Sequence, residues 1–357
     1  MNGSESRFDR QRLLPWIGEQ GQRRLRESHA LVVGCGALGS AQAELLVRAG
    51  VGTLTIVDRD LVEWSNLQRQ SLFDERDARA GAPKAEAAKR RLREIDSSVR
   101  IHACVEHLGP ENAAELARGA GVIVDGLDNM PSRYLLNDLA VRDGVPFVHA
   151  AVVAMEGRSL AVLPGRPCLR CVHPEAPAPG ALPTCDTVGV FGGAVAIVAG
   201  FAATQAIRVL AGRGDLASRG LWSLDLDAAR AITIGADAAP SPECVCCAKR
   251  RFEWLDGDQM EQATVLCGRR AVQIVPRSAA GGPRRGAAVD FAALRSRLAS
   301  HGRFEERDGI LRGEVDMAVA DTGAALELAL FPDGRAIVSG TVDAALARSV
   351  YDRIVGL

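Results

Sequence analysis

Several absences narrow the field before any motif is read. The chain of 357 residues has no excess of charge, with 43 Lys plus Arg against 44 Asp plus Glu. No global field steers it toward nucleic acid or an anionic membrane, so any charge-driven site must be local. The opening stretch MNGSESRFDRQRLL lacks the apolar core of a signal peptide. That predicts a cytoplasmic chain in a reducing compartment, where its nine cysteines read as ligands or nucleophiles rather than disulfides. The six histidines show no ligand spacing, which leaves His149 and His173 as loop or packing residues. No internal repeat is present. Long apolar runs are nearly missing as well. Thr187 to Ile207 is 21 residues without a charge, but its Gly, Ala and Thr content suits a buried core helix better than a membrane span.

What is present reads as a globular protein of two or three domains, with 47% hydrophobic residues to build a core. HALVVGCGALGSAQAELLVRAGVGTLTIVD runs as apolar strand, glycine turn, Ala/Leu helix and second strand, a βαβ unit. PKAEAAKRRLREID predicts a helix with Pro83 in its first turn, and VRIHACVEHL a strand. A helix near Pro110, the strand GVIVDGLD, the helix SRYLLNDLAVRDG and the strand PFVHAAV follow. This alternation predicts an α/β fold, a doubly wound, Rossmann-like, mostly parallel sheet. HPEAPAPGALP, residues 173 to 183, predicts an exposed loop, after which GLWSLDLDAARAITIG resumes the sheet. A break between Asp256 and Glu261 divides a domain over 1–255 from a small α+β domain over 262–357. In the latter, AVQIVP reads as a strand, VDFAALRSRLASHG as a helix, LELALFPDGRAIVSG as a hairpin and VDAALARSVYDRIVG as a last helix.

GCGALG places Gly34, Gly36 and Gly39 between a strand and a helix, where backbone N–H groups approach a phosphate at the positive helix end. Asp58 follows Gly39 by 19 residues, at the place where a carboxylate accepts ribose hydroxyls. These two features alone fit an NAD-dependent enzyme. The downstream chemistry separates NAD from ATP: Asn66, Arg69 and Gln70 crowd donors into one segment, and Lys84 opens a helix in GAPK. Together they neutralise a β,γ-pyrophosphate. Asp128, in DGLDNMPSR at a strand's carboxyl end, suits a Mg²⁺ ligand. Two C-x-x-C knuckles, Cys168 with Cys171 and Cys244 with Cys247, have the pattern of a closed four-thiolate structural zinc site. Cys246 adds an extra thiol to the second knuckle, but the x-x spacing selects its neighbours.

RFDRQRLL, GCGALGS, TIVDRDLVEWSNLQRQSLF, GAPKAEAAKRRL, DGLDNMPSRYLLN, AAVVAMEGR and CLRC, in this order, resemble the successive motifs of the ubiquitin-activating-enzyme-like adenylyltransferases, the ThiF and MoeB family. The resemblance covers about residues 7 to 250. It implies a homodimer that adenylates the C-terminal glycine of a ubiquitin-like sulfur carrier ending in Gly-Gly. It assigns Gly36 and its neighbours to the phosphates, Asp58 to the ribose, and Asn66, Arg69 and Lys84 to the triphosphate, with Gln70 and Asp60 as helpers. Asp128 would coordinate Mg²⁺, and Arg10 would reach into the neighbouring subunit's ATP site. Cys185, in LPTCDTVGV, aligns with a cysteine that forms a covalent sulfur or acyl adduct in relatives, and lies before a predicted helix whose dipole favours its thiolate. The family commonly has glycine where Ala37 stands, a departure that a negative φ would accommodate.

Cys267, in VLCGRRAVQI, is a weaker candidate for a second thiol, with a buried strand residue as the plain alternative; Cys35 and Cys104 read as structural. Some relatives end in a rhodanese domain, but this tail has no loop of that kind, so a cysteine desulfurase or a separate rhodanese is the sulfur donor to consider. The tail reads either as a ferredoxin-like docking module or as a stabilising appendage. An NAD-linked oxidoreductase and a noncatalytic adaptor retaining the fold stay open as alternatives.

Overall fold

A computed structural model describes residues 6–175, 185–235, 238–257, 263–266, 270–275, 289–298, 302–315 and 325–355. Cys267 and most of the Pro-rich segment lie outside the described residues. The chain divides into two compact units, Met1–Gln259 and Met260–Leu357.

The first unit runs α1 (Gly18–Glu27), β1 (His29–Val33), α2 (Ala37–Arg48), β2 (Thr53–Val57), α3 (Lys84–Ile95), β3 (Arg100–Cys104), β4 (Val122–Asp125), α4 (Met130–Asp143), β5 (Phe147–Val153), β6 (Glu156–Val162), α5 (Gly192–Leu210), β7 (Leu221–Asp225) and β8 (Arg230–Ile234), with short helical turns between. The strands form one sheet in the order β3-β2-β1-β4-β5-β6-β7-β8. β3, β2, β1, β4 and β5 are parallel, and β6, β7 and β8 extend them antiparallel. Both faces of the parallel part are covered, which is why LVV and VIV are buried throughout rather than alternating. Between β1 and β4 the strand order reverses, and the carboxyl ends there splay into the crevice where such sheets bind ligands.

Local signals explain the helices that matter. Gly36 stands at the N-cap of α2, and Ala37 is its first helical residue with no left-handed strain. The methyl group that departs from the family pattern is therefore accommodated. Pro83 caps α3, pre-setting φ where no N–H is required. Asn129 caps α4, its Oδ1 accepting from the Ser132 N–H at 3.0 Å, and Gly144 ends that helix at φ 70°.

The uncharged stretch forms α5 from Gly192, five residues later than its sequence start. It is long and apolar enough to cross a membrane by composition, with half of its most apolar window buried. Ala194, Val195, Val198, Ala199, Ala202 and Ala206 pack into the core beside α2, β5 and β6. The helix lies close to β6, where a Cβ on Gly157 would collide with Val198 Cγ2. This packing is the buried core role expected of the stretch.

The second unit holds β9 (Ala263–Leu266), β10 (Ala271–Ile274), α6 (Phe291–Leu298), β11 (Gly302–Arg307), β12 (Ile310–Val315), β13 (Leu326–Leu330), β14 (Ala336–Ser339) and α7 (Ala344–Ile354). Its sheet is wholly antiparallel in the order β11-β12-β13-β14-β10-β9. This order is a meander extended by two earlier strands, which differs from the ferredoxin-like module expected as one of the two alternatives for the tail. The hairpin around Pro332-Asp333-Gly334 forms as its turn chemistry requires, pairing Leu330 with Ala336. Val272, Leu328, Leu330, Val338, Val350 and Tyr351 build this unit's own core.

Candidate active site

Three loops meet at the reversal point: the glycine turn after β1, the Asp58 segment after β2 and the Gly126–Asp128 turn after β4. Gly34 N–H donates to Val57 O and Gly126 N–H to Val33 O, both at 2.8 Å, so the loops are continuations of the sheet ladder. Gly34 has φ +86°, and a Cβ there would lie 2.6 Å from Gly126 O. Glycine is required because these two backbones touch. Around Gly36 the space is open, the nearest atoms to an added Cβ being Gly126 O at 3.9 Å and Gln70 Nε2 at 4.0 Å. Phosphate oxygens fit there, against the N-terminus of the 12-residue α2.

Asp58 is buried, and its carboxylate accepts from the Cys35 N–H at 2.6 Å and the Asp60 N–H at 2.7 Å. It therefore shapes the glycine turn from below. Burial raises its pKa, and Lys84 opposes that rise. Lys84 is also buried and pairs through Nζ with Asp60 Oδ2 at 3.1 Å, while its N–H donates to Asp60 O at 2.9 Å. Asp60 thus orients the ammonium.

Asn66 is spent largely on its own turn: its Oδ1 accepts from the Glu63 N–H at 3.1 Å. Gln70 is 4% exposed, and its Oε1 has no hydrogen-bond partner among the described residues. A buried amide with an unmatched oxygen beside Gly36 is the pattern of a group awaiting a ligand donor. Arg69 donates to Ser65 O at 2.7 Å and has no carboxylate partner among the described residues, so its charge is available. Its neighbour Gln68 abuts the start of α5, where Gln68 O lies 3.3 Å from a Cβ built on Gly192. Asp128 is exposed at the end of the β4 turn, with Asn129 Nδ2 donating to its Oδ1 at 3.2 Å. An open carboxylate beside the glycine turn fits a hard divalent cation.

Arg10 is exposed on the turn Asp9–Arg12, with no hydrogen-bond or ion-pair partner among the described residues. Cys185 opens a helical turn of four residues, its Sγ 3.4 Å from Val152 O. That turn is too short for a macrodipole, and the long helix begins only at Gly192. No helix dipole therefore favours the Cys185 thiolate, contrary to the expectation from sequence.

A cluster that the sequence reading missed underlies Asp128. Asp125, fully buried at the end of β4, accepts from Arg133 Nε at 3.1 Å and from His149 Nδ1 at 2.6 Å. Burial alone would raise its pKa, but Arg133, His149 and the Leu127 N–H outweigh burial and hold it below the usual carboxylate range. Burial likewise depresses His149 below its ordinary value of 6.5, despite the favourable Asp125 contact. The cluster at neutral pH is one carboxylate, one guanidinium and a neutral imidazole whose Nδ1–H donates. Below pH 6.5 an unfolded histidine takes a proton that folded His149 refuses, so stability is full above that pH and declines as pH falls. Asp125 adds a further loss nearer pH 4. Thermal melts from pH 7.5 to 5.5 should show a falling midpoint, shallower in His149→Gln; a midpoint rising with acid would contradict the cluster's charge state.

The two knuckles meet. The sulfurs of Cys168, Cys171, Cys244 and Cys247 all lie within 4.8 Å of one another. Three of their separations are 3.9, 3.6 and 3.4 Å, close to the roughly 3.8 Å edge of a tetrahedron with Zn–S bonds of about 2.3 Å. Hydrogen bonding, chiefly with Cys246, draws the Cys168 thiol down to about 5, whereas burial holds Cys171 and Cys247 up. A divalent cation removes that conflict by letting all four ionise. Cys246 is not one of the four but hydrogen-bonds to Cys168, its Sγ also accepting from Asn137 Nδ2 at 3.3 Å, and Asn137 Oδ1 accepts from the Leu169 N–H at 2.8 Å.

A glycine turn at the reversal point of a doubly wound sheet, a basic and carboxylate-bearing rim and a four-cysteine cluster define a doubly wound α/β protein with a candidate nucleotide site. The chain belongs to the ThiF family, whose model matches residues 8–246. It is 41% identical over 354 residues to the sulfur carrier protein ThiS adenylyltransferase of Bacillus subtilis, covering 98% of this chain and 99% of that protein. The sulfur carrier protein adenylyltransferase of Thermus thermophilus is 42% identical over 214 residues, 58% of this chain and 78% of the relative. Among solved structures, Escherichia coli MccB superposes with a TM-score of 0.60 at 21% identity, over 69% of this chain and 75% of that one, which shows a shared fold.

Proposed function

We propose that the protein adenylates the C-terminal glycine of a ubiquitin-like sulfur carrier, using ATP and releasing pyrophosphate. The carrying observation is the set of side chains on the segments that follow β2 and β4 beside the glycine turn: Gln70 with its Nε2 at the open space of Gly36, Lys84 buried on Asp60, Arg69 without a carboxylate partner among the described residues, and exposed Asp128. The full-length match to a ThiS adenylyltransferase, tail included, supports a carrier of that kind.

The carrier's terminal carboxylate is ionised at neutral pH, so no general base is needed. One carboxylate oxygen attacks the α-phosphorus, the α,β P–O bond breaks, and pyrophosphate leaves from an acyl-adenylate. The obstacle is repulsion between anions. Lys84 and Arg69 shield the phosphates and stabilise the leaving group, and the N–H groups near Gly36 hold the chain in line. Asp128 would hold Mg²⁺, which would supply positive charge against the phosphates. Asp58 fixes the ribose. Arg10 completes the site from a second copy in a homodimer. Its exposed position beside Leu13, which is 81% exposed, suits burial against a partner subunit.

The test is ATP–pyrophosphate exchange with and without a carrier ending in Gly-Gly. Exchange that requires the carrier supports the reading, whereas NAD binding without exchange overturns it in favour of an oxidoreductase. Cys185 acts after adenylation, its sulfur displacing AMP from the acyl-adenylate or serving the following sulfur transfer from a desulfurase or rhodanese donor. Cys185→Ser should leave exchange within about threefold yet lower thiocarboxylate formation, read by intact mass, at least about tenfold. Equal losses in both would remove that role.

A further inference from the structure

We propose that Asp125 is a positioning residue for Asp128, acting through Arg133 and the Leu127 peptide; the inference rests on the metal-ligand reading of Asp128 given above.

Leu127 immediately precedes Asp128, and both of its backbone polar atoms are held by one buried ion pair. Its N–H donates to Asp125 Oδ1 at 2.8 Å, and its carbonyl accepts from Arg133 Nη2. Arg133 is anchored in turn, with Nε on Asp125 Oδ2 and Nη2 also reaching Ala150 O of β5 at 3.2 Å. His149 Nδ1 occupies the same Asp125 oxygen from β5, so the carboxylate is gripped from β5 and from α4.

Gly126, between Asp125 and Leu127, has no freedom to shift. A Cβ there would collide with Gly34 O and lie 2.7 Å from Gly39 Cα. On the other side of Asp128, Asn129 is fixed as the N-cap of α4. Asp128 therefore sits between two immobilised peptides while its own carboxylate stays exposed. A buried ion pair of this kind is no more stabilising than well-packed apolar residues of similar volume, so stability alone gives little reason for it. Fixing a peptide plane beside a metal carboxylate is a reason that apolar groups cannot supply, since they offer neither the donor for Leu127 O nor the acceptor for its N–H.

The test uses the full chain with Mn²⁺ as the metal probe. Mn²⁺ affinity is followed by water-proton relaxation with ATP present, and nucleotide affinity is measured separately without metal. Asp125→Asn should weaken Mn²⁺ about 10- to 100-fold, the range for lost supports of metal ligands, while metal-free nucleotide affinity changes less than about twofold. Hydrogen exchange in the metal-free protein should accelerate at Leu127 and Asp128. Arg133→Lys, which keeps the charge but not the forked reach, should give the same split and serves if Asp125→Asn does not fold. Unchanged Mn²⁺ affinity in the folded variants, with Asp128→Ala losing it, overturns the positioning role alone. Unchanged affinity in Asp128→Ala as well overturns the metal assignment, and the inference with it. Equal losses of metal and nucleotide affinity would mark Asp125 as merely structural.

Discussion

Asp128→Ala should lower ATP–pyrophosphate exchange about 10²- to 10³-fold, the scale of one lost electrostatic contact to a transition state, or about 2.7–4 kcal/mol. The side chain is exposed, so its removal should change folding stability by no more than about 0.5 kcal/mol. Rate and stability are thereby separated at this position. They are not separable at Lys84, because its removal takes the nearer of two cations from the partly buried Asp60, leaving Arg59 Nε at 3.9 Å. Lys84→Met should lose both exchange and thermal stability. For Asp128→Ala, the decisive measurement is exchange rate against Mg²⁺ concentration together with a melting curve. A variant that melts normally and exchanges at the wild-type rate would remove Asp128 from the mechanism. One that recovers at high Mg²⁺ would locate the defect in holding the metal rather than in the chemistry.

The parallel half of the sheet and the glycine turn were legible in the sequence because each carries a local signal: a continuous apolar run, a glycine where backbones touch, a cap where a helix starts. The reversal to antiparallel pairing at β6 was not. Its hairpin turns at Ala154, which has φ +51° although the sequence there offers no Gly, Asn or Asp to announce it. The site divides along the same line. Asp58, Lys84 and Asp128 stand at strand or helix ends and stood out by spacing. Asp125, Arg133 and His149 come from three elements, and no spacing joins them before the sheet is assembled. A histidine in the apolar strand PFVHAAV reads as a packing residue; only burial against a carboxylate gives it another meaning. Gln70 was named as a helper, but its unmatched buried oxygen is visible only in three dimensions. In the second unit, six paired strands replaced the simpler ferredoxin-like arrangement because β9 and β10 add to a meander that is far away in sequence.

Cys244→Ser should reduce bound zinc from about one equivalent per chain to a small fraction, since four thiolates around Zn²⁺ form a closed shell that three do not complete. Stability should fall with it. The cluster joins positions 76 residues apart, so the metal closes a long loop that the unfolded chain would otherwise explore. Binding energy at a structural zinc site is folding energy, and loss of a metal belongs to the few changes that cost above about 4 kcal/mol. For a unit of this size that corresponds to a drop in melting midpoint of about 8–16 °C. Chelation of the wild-type protein should reproduce the drop. Cys246→Ser is the discriminating control: its sulfur hydrogen-bonds to Cys168 and Asn137 but is not one of the four clustered sulfurs, and serine keeps a hydrogen-bonding group there, so zinc content should stay near one equivalent. Because the closed shell offers no open position to a substrate, either variant, assayed well below its melting midpoint, should retain exchange within about threefold. Zinc content unchanged in Cys244→Ser would refute the assignment. Zinc lost with exchange abolished in a folded chain would instead give the cluster a part in catalysis, which its geometry argues against.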